Sequence, residues 1–192
     1  AAGRYLAVGE DGLIAVREAA AWRPLAVPQQ AGDHGAALSA SDAWTVDGSG
    51  SAFHYDGDRW SKAKTGSSNP LSAVLASAPD DVWFFGAAGN VERAATYHWN
   101  GDTITVGRAE IPSTRYYGAW ASGPDDLWAV GGKGGGEAGP VGPLILHGRG
   151  TPVVWENVST GLMAPSMLLY GVWGSGPQDL WIVGGNGTVL HG

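Results

Sequence analysis

The chain has 192 residues and a net charge of −7, with 32 glycines, 10 tryptophans and no cysteine. Its lysines are scattered, so nucleic acid is not expected as a partner, because phosphates are neutralised by clustered Lys and Arg. The lack of cysteine excludes disulfides and thiolate zinc sites, and no apolar run reaches the roughly 18 residues of a membrane span. Abundant Gly, Trp, Val and Thr beside few helix formers predict short strands joined by tight turns.

A repeat runs along the whole chain. It opens with a degenerate copy, RYLAVGEDGLIAV, in which Leu6 takes the place of a tryptophan, and clear copies of Asp–apolar–Trp follow at Trp44, Trp83, Trp128 and Trp181. A unit of about 40 residues is typical of one propeller blade. We therefore predict an all-β fold, a β-propeller of about five four-stranded antiparallel blades. It forms a single domain over 1–192, with repeats at approximately 1–29, 30–68, 69–113, 114–160 and 161–192.

Each unit is predicted to form four strands, which we call A to D. Strand A, such as YGAWAS, is followed by a turn of the SGPDD type, and strand B, such as LWAVGG, by a turn such as Asn186-Gly187 or Asp11-Gly12. Strand C, such as GTVLHG, leads through YDGDRW or a similar turn to strand D. The first unit lacks strand A and the last lacks strand D, so both terminal blades are expected to be incomplete. We expect a longer protein, or another chain that supplies the missing strands, and self-association through the open edges.

The repeat GVWGSGP-x-D-Leu/Val-W-x-V-G resembles the propeller repeats of secreted proteins and lipoproteins of the myxobacterial type. It is more loosely similar to bacterial propeller lectins. The resemblance implies a propeller fold and an exported bacterial protein that is extracellular, periplasmic or at the cell surface. It implies no functional residues, because a blade repeat is scaffold rather than site.

Three recurring residues are interpreted as structural. The strand-B tryptophans are expected to form the core between blades. The aspartates that begin strand B, such as Asp126, are expected to accept backbone N–H groups of the A–B turn, with calcium binding as the alternative. The histidines of strand C lie in separate blades and cannot converge on one metal ion, so we expect them to bond to a neighbouring strand. They are His54, His98, His147 and His191.

Variation in length is confined to the D–A and B–C loops, which share one face of a propeller. Variable loops on a rigid scaffold are where binding usually occurs, so this variable-loop face is the predicted site for a protein partner or a glycan. Its candidate residues are Asp33, His34, Asn90, Glu92, Arg93, Arg115, Tyr116, Lys133, Glu137, Met163 and Met167.

The chemistry of the sequence favours a non-catalytic module. No Ser-His-Asp signature or carboxylate pair stands out, and no cofactor or metal site is predicted. The leading hypothesis is an exported scaffold for protein interaction or assembly, and the alternative is a carbohydrate-binding propeller. The tryptophans near the outer strands suit sugar rings but also suit simple packing; they are Trp22, Trp60, Trp99 and Trp155. A third hypothesis, a glycosidase, needs a central funnel lined by several arginines and carboxylates.

Overall fold

A computed structural model describes most of the chain. The described residues are 5–8, 14–18, 21–25, 34–39, 41–86, 93–112, 114–133, 142–159, 161 and 167–192. Strands dominate these ranges, and the one helical element in them is a 3-10 turn at Gly185–Gly187. No helix among them is long and apolar enough to span a membrane.

The strands form five antiparallel sheets in chain order, which we call blades 1 to 5. Blade 1 contains β1 Tyr5–Val8, β2 Ile14–Glu18 and β3 Ala21–Leu25. Blade 2 contains β4 His34–Ser39, β5 Asp42–Val46, β6 Ala52–Tyr55 and β7 Trp60–Ala63. Blade 3 contains β8 Leu71–Ala78, β9 Asp81–Gly86, β10 Arg93–Trp99 and β11 Ile104–Pro112. Blade 4 contains β12 Thr114–Gly123, β13 Asp126–Lys133, β14 Gly142–Arg149 and β15 Val154–Asn157. Blade 5 contains β16 Leu169–Gly176, β17 Asp179–Gly184 and β18 Val189–His191.

The predicted propeller with incomplete terminal blades is confirmed. Blades 2, 3 and 4 each have four strands paired in sequence order, whereas blades 1 and 5 have three in the described residues. The innermost strands β4, β8, β12 and β16 pack against one another in that order. Each blade therefore contacts the next one along the chain.

Asx side chains close the turns that connect neighbouring strands. Asn100 Oδ1 accepts the backbone N–H groups of Asp102 and Thr103 at 3.1 and 2.9 Å. Gly101 at the tip has φ 93°, a left-handed conformation that favours glycine. The turn of blade 5 uses Asn186 with φ 56° and Gly187 with φ 73°, which confirms the predicted pair of positive φ angles. The Asp11-Gly12 turn lies outside the described residues.

Blades pack face to face through alternate side chains. We call the face that carries the strand-B tryptophan the forward face of a blade, and the opposite one its back face. Trp44 on the forward face of blade 2 contacts Phe84 and Trp99 on the back face of blade 3, with ring centroids 5.3 and 5.6 Å apart. Trp83 of blade 3 meets Trp155 of blade 4 edge to face at 5.4 Å. The core of the propeller thus consists of layers between successive blades.

The expectation that all strand-B tryptophans are core is correct for only some of them. Trp44 and Trp83 are 1% and 5% exposed, but Trp181 is 42% exposed, and Trp128 is half-buried. The reason is position: the back face of blade 5 packs on blade 4 through Leu169, Leu180 and Ile182. Its forward face is not covered by any other described blade.

Replacing these tryptophans with alanine should show which of them lie in a buried layer between two blades and which lie on an exposed face. Trp83→Ala removes a buried ring and leaves a cavity, so we expect a loss of about 3–5 kcal/mol in the free energy of unfolding. Trp181→Ala removes a ring that is already partly hydrated and should cost less than half as much. Chemical denaturation of both variants measures the difference. Equal losses would show that the forward face of blade 5 is covered in solution.

Candidate functional site: the forward face of blade 5

A hydrogen-bonded unit of four side chains recurs at the A–B end of the blades. In blade 3, Asp81 begins strand B and its Oδ1 accepts the Nε2 hydrogen of His98, 2.7 Å away on strand C. The same oxygen accepts the indole N–H of Trp83 at 3.0 Å, and Ser77 at the end of strand A donates to the other carboxylate oxygen. Blades 4 and 5 repeat all three bonds around Asp126 and Asp179.

Aromatic stacking completes each unit. The histidine ring lies against the tryptophan ring, with centroids 4.3 Å apart for Trp44–His54 and Trp83–His98. The separations are 3.7 Å in blade 4 and 4.1 Å in blade 5. The histidines therefore bond to a neighbouring strand, as expected. In blades 3, 4 and 5 the aspartate takes side-chain partners, among them the indole N–H of the tryptophan two residues along the same strand, where backbone N–H groups of the turn were expected. In blade 2, Asp42 bonds to His54, while the buried Nε1 of Trp44 has no hydrogen-bond partner within the described residues.

The carboxylates of the units in blades 3, 4 and 5 have a lowered pKa. Burial alone raises the pKa of the Asp81 carboxyl, but hydrogen bonds from His98, Ser77 and Trp83 favour the ionised form and lower the pKa overall. The equivalent bonds in blade 4 likewise outweigh burial and lower the pKa of Asp126. These units therefore stabilise the fold in their ionised state.

The forward face of blade 5 exposes apolar side chains that no other described blade covers. Trp173 on strand A and Trp181 on strand B lie opposite each other in the ladder, and Val183 lies opposite Val189. Their exposed fractions are 59%, 42%, 48% and 58%. His191 stacks on Trp181 and bonds to Asp179 at 2.9 Å, so these polar groups have partners within blade 5.

Only some of the predicted loop residues lie within the described residues. Arg115 is exposed and His34 is half-buried, whereas the backbones of Arg93 and Lys133 lie on β10 and β13. The remaining candidates lie outside the described residues; they are Asp33, Asn90, Glu92, Glu137 and Met163. The variable-loop face as a whole stays a prediction.

Two predicted ligand contacts belong to the core instead. Tyr116 is 2% exposed and its ring lies 5.3 Å from that of Phe85 in blade 3. Met167 is 5% exposed, and its sulfur accepts a hydrogen bond from the Thr188 hydroxyl at 2.8 Å. Tyr116 lies in the layer between blades 3 and 4 and Met167 is buried beside Thr188, so neither side chain is exposed for a ligand.

The outer-strand tryptophans also serve mainly in packing. Trp155 is 4% exposed, and Trp60 and Trp99 are half-buried. Trp22 in blade 1 is 52% exposed. Sequence reasoning did not single out Trp173, Val183 and Val189, which are exposed in the described chain, because it compared repeats without asking which faces another described blade covers.

The chain is similar in fold to solved propeller structures. No protein-family model and no curated protein matches the sequence. Among solved structures, YCF48 from Cyanidioschyzon merolae is similar with a TM-score of 0.66 at 14% identity, over 97% of this chain and 65% of that one. A YCF48 bound to D1 peptide has a TM-score of 0.70 at 17% identity, over 100% and 60%. This chain thus spans less than two thirds of the length of either YCF48.

A lectin is also similar in fold. The six-bladed propeller lectin of Aleuria aurantia, whose structure was described with a novel mode of fucose recognition, has a TM-score of 0.56 at 19% identity. The match covers 94% of this chain and 69% of that one. Identities this low show a shared propeller fold and nothing finer. The propeller implied by the sequence resemblance is therefore confirmed.

The depressed pKa of Asp81 predicts a loss of stability in acid. The folded state binds protons less readily than the unfolded chain, whose aspartate pKa is about 3.9. The stabilisation is thus complete above that value and is lost as the pH falls through the lower folded pKa. Asp81→Asn should be less stable near neutral pH and lose less stability on acidification. Denaturation curves from about pH 6 to about pH 2.5 test this; parallel pH profiles for both proteins would contradict it.

Proposed function

We propose that the chain is a non-catalytic propeller scaffold that binds a polypeptide partner, and that it works outside the cytoplasm. The observation that carries the proposal is the forward face of blade 5, whose exposed rings Trp173 and Trp181 need a covering surface from another blade or from another polypeptide. Large exposed aromatic side chains in one patch are typical of protein-interaction sites.

The distribution of tryptophan favours a scaffold over a lectin. A propeller lectin should repeat an exposed tryptophan with polar neighbours between successive blades. Here the equivalent tryptophans of blades 2 and 3, Trp44 and Trp83, are buried. An exposed tryptophan on strand B therefore does not repeat in blades 2, 3 and 4, which is evidence against a set of equivalent sugar sites between them.

Two further observations support the details of the proposal. One similar solved structure is a YCF48 bound to D1 peptide, so a propeller of this kind can hold a polypeptide. The repeat resembles those of exported myxobacterial proteins, and this resemblance supports export. In blades 3, 4 and 5 the carboxylates at the start of strand B are held by serine, tryptophan and histidine, which leaves them poorly placed for acid–base chemistry.

Carbohydrate binding is the second candidate function. Trp173 and Trp181 present rings beside a carboxylate and an imidazole, a combination that suits the apolar face and polar rim of a sugar. A similar structure is a fucose-recognising lectin. This alternative predicts binding to defined glycans and no selection of peptides.

One pair of screens separates these functions. The chain is applied to a glycan array and, in parallel, to a display library of random peptides. We expect selected peptides that share apolar side chains and no enriched glycan. Trp173→Ser should weaken the selected peptides at least tenfold, because it removes the most exposed ring of the face.

The chain offers matched controls for this test. Trp22→Ser removes a ring of similar exposure, 52%, from blade 1, and Val106→Ser removes a valine that is 63% exposed from blade 3. Neither should change peptide affinity. Enriched glycans without peptides would replace the scaffold with a lectin, and equal losses in Trp22→Ser and Trp173→Ser would show nonspecific adhesion to aromatic surface.

A further inference from the structure

Strand A of three successive blades contains an extra residue at the end where the variable loops lie. In blade 4, Tyr116 and Gly118 pair with two consecutive residues of strand B, so Tyr117 is an extra residue in the ladder. The register places Ser72 in blade 3 and Tyr170 in blade 5 in the same way. Such a β-bulge interrupts the regular alternation of a strand and re-aims the side chain that it carries.

A second bulge in the same strands has a different use. Near the A–B turn, the extra residues of strand A in blades 3, 4 and 5 are Ser77, Ser122 and Ser175. Each of these serines donates a hydrogen bond to the strand-B aspartate of its own blade. The bulge at the variable-loop end carries one serine and two tyrosines instead. One bulge therefore supports the fold with a constant residue, and the other is a position where the side chain differs between blades.

The two bulged tyrosines meet on the inner strands of the propeller. Strand A is an edge strand of each sheet, and the A strands β8, β12 and β16 pack against one another in that order. The rings of Tyr117 and Tyr170 lie edge to face, with centroids 5.4 Å apart and an angle of 65° between their planes. Blades 4 and 5 thus place one tyrosine each at the inner end of the layer between them, on the variable-loop face.

Glycine brings the two inner strands into close contact beside this pair. A Cβ on Gly118 would lie 3.0 Å from the backbone oxygen of Tyr170 and 3.1 Å from the Cα of Gly171. These distances leave no room for a ligand between the strands. Tyr117 is only half-buried, although strand A of blade 4 packs against the A strands of both blade 3 and blade 5. Its exposed part therefore lies outside the close contact of the strands.

Arg115 adds a positive charge two residues before Tyr117. Its side chain is exposed and forms no hydrogen bond or ion pair with another described residue. Its backbone is tightly packed, because a Cβ on Gly131 would collide with the Arg115 carbonyl oxygen. A guanidinium binds a carboxylate through two parallel hydrogen bonds. In a chain with a net charge of −7, this arginine gives the tyrosine pair a local attraction for a negative group.

The geometry of the tyrosine pair suits an extended peptide that contains proline. The rings are steeply inclined to each other, so together they present two angled faces rather than one flat face. Proline-rich segments dock on surfaces lined by aromatic side chains, and their preformed polyproline II helix loses little entropy on binding. Tyrosine also loses little entropy, since its side chain has only two torsion angles. A sugar ring would need one open, flat aromatic face instead.

We propose that Tyr117, Tyr170 and Arg115 bind an extended polypeptide segment that contains prolines next to an acidic residue. The prolines pack on the two rings, and the carboxylate binds the guanidinium. This inference rests on the proposed function, because it requires a polypeptide partner, but its site lies on the inner strands of blades 4 and 5 rather than on the forward face of blade 5. It combines the predicted Arg115 with Tyr117 in place of the buried Tyr116.

Three octapeptides with blocked ends test the proposal by calorimetry on the intact 192-residue chain. The first has prolines between two terminal glutamates, the second has the same prolines between two lysines, and the third has glycine and serine between two glutamates. We expect the glutamate–proline peptide to bind, and each of the others to bind roughly tenfold more weakly. In Arg115→Gln the two proline peptides should bind equally, because the charge that distinguishes them is gone.

Tyrosine variants locate the site. Tyr117→Ser removes one ring of the pair and should weaken binding of the glutamate–proline peptide by roughly tenfold. Tyr55→Ser is the matched control, because it removes another half-buried tyrosine, whose ring lies 5.2 Å from that of Trp60 near the C–D turn of blade 2. It should leave binding unchanged. Melting temperatures check that both variants stay folded, and the exposed Arg115→Gln provides the test if Tyr117→Ser does not fold.

The outcomes separate this inference from the proposed function. No binding of the glutamate–proline peptide, or equal binding to the wild type and to Tyr117→Ser, overturns the site on the inner strands. The scaffold function still stands in that case if the random-peptide screen selects peptides that depend on Trp173. Enriched glycans whose binding is lost in Tyr117→Ser would replace the peptide with a sugar and also overturn the proposal. Binding of the glutamate–proline peptide that depends on Tyr117 and Arg115 supports the site even if the screen on the forward face fails.

Discussion

The structure depends on one requirement: each blade has two apolar faces and can bury neither alone. The forward-face tryptophan of one blade is buried only when the back face of the next blade covers it, as Phe84 and Trp99 cover Trp44. This requirement explains why the sequence repeats, since each copy must present both halves of the same interface. It also explains why chemically similar tryptophans differ so much in exposure. The neighbour, rather than the residue type, decides whether the ring is core or surface.

The A–B end of each blade and the opposite end differ in structure. At the A–B end, serine, aspartate, tryptophan and histidine tie strands A, B and C together through one carboxylate. Every one of these polar groups is used within the blade, so this end has little freedom to vary or to bind. The opposite end carries the loops whose lengths differ between repeats. Differences in length between repeats are thus found at the end where these hydrogen-bonded units do not lie.

Sequence reasoning could predict the propeller, the antiparallel strands and the incomplete terminal blades, because strand patterns and turn residues are local signals. The Asn186-Gly187 turn is an example of such a local signal. It could not predict which recurring residues are accessible, because accessibility depends on distant packing. Tyr116 follows Arg115 directly in a predicted binding segment, yet strand alternation turns its ring towards Phe85. The partners of Asp81 were also missed, since the serine and histidine that bind it come from two other strands.

The face-to-face packing of blades has a consequence for cooperativity. Each blade contacts mainly its immediate neighbours along the chain, so stability is close to a sum of individual blade terms and nearest-neighbour terms, as in a one-dimensional array. Among the described blades, blades 2, 3 and 4 each have a coupling term on both sides. Loss of one of these layers therefore leaves the other coupling term of the same blade in place. Blade 4 lies between blades 3 and 5, so a change in the packing of blade 5 reaches blade 3 only through the two layers that blade 4 forms.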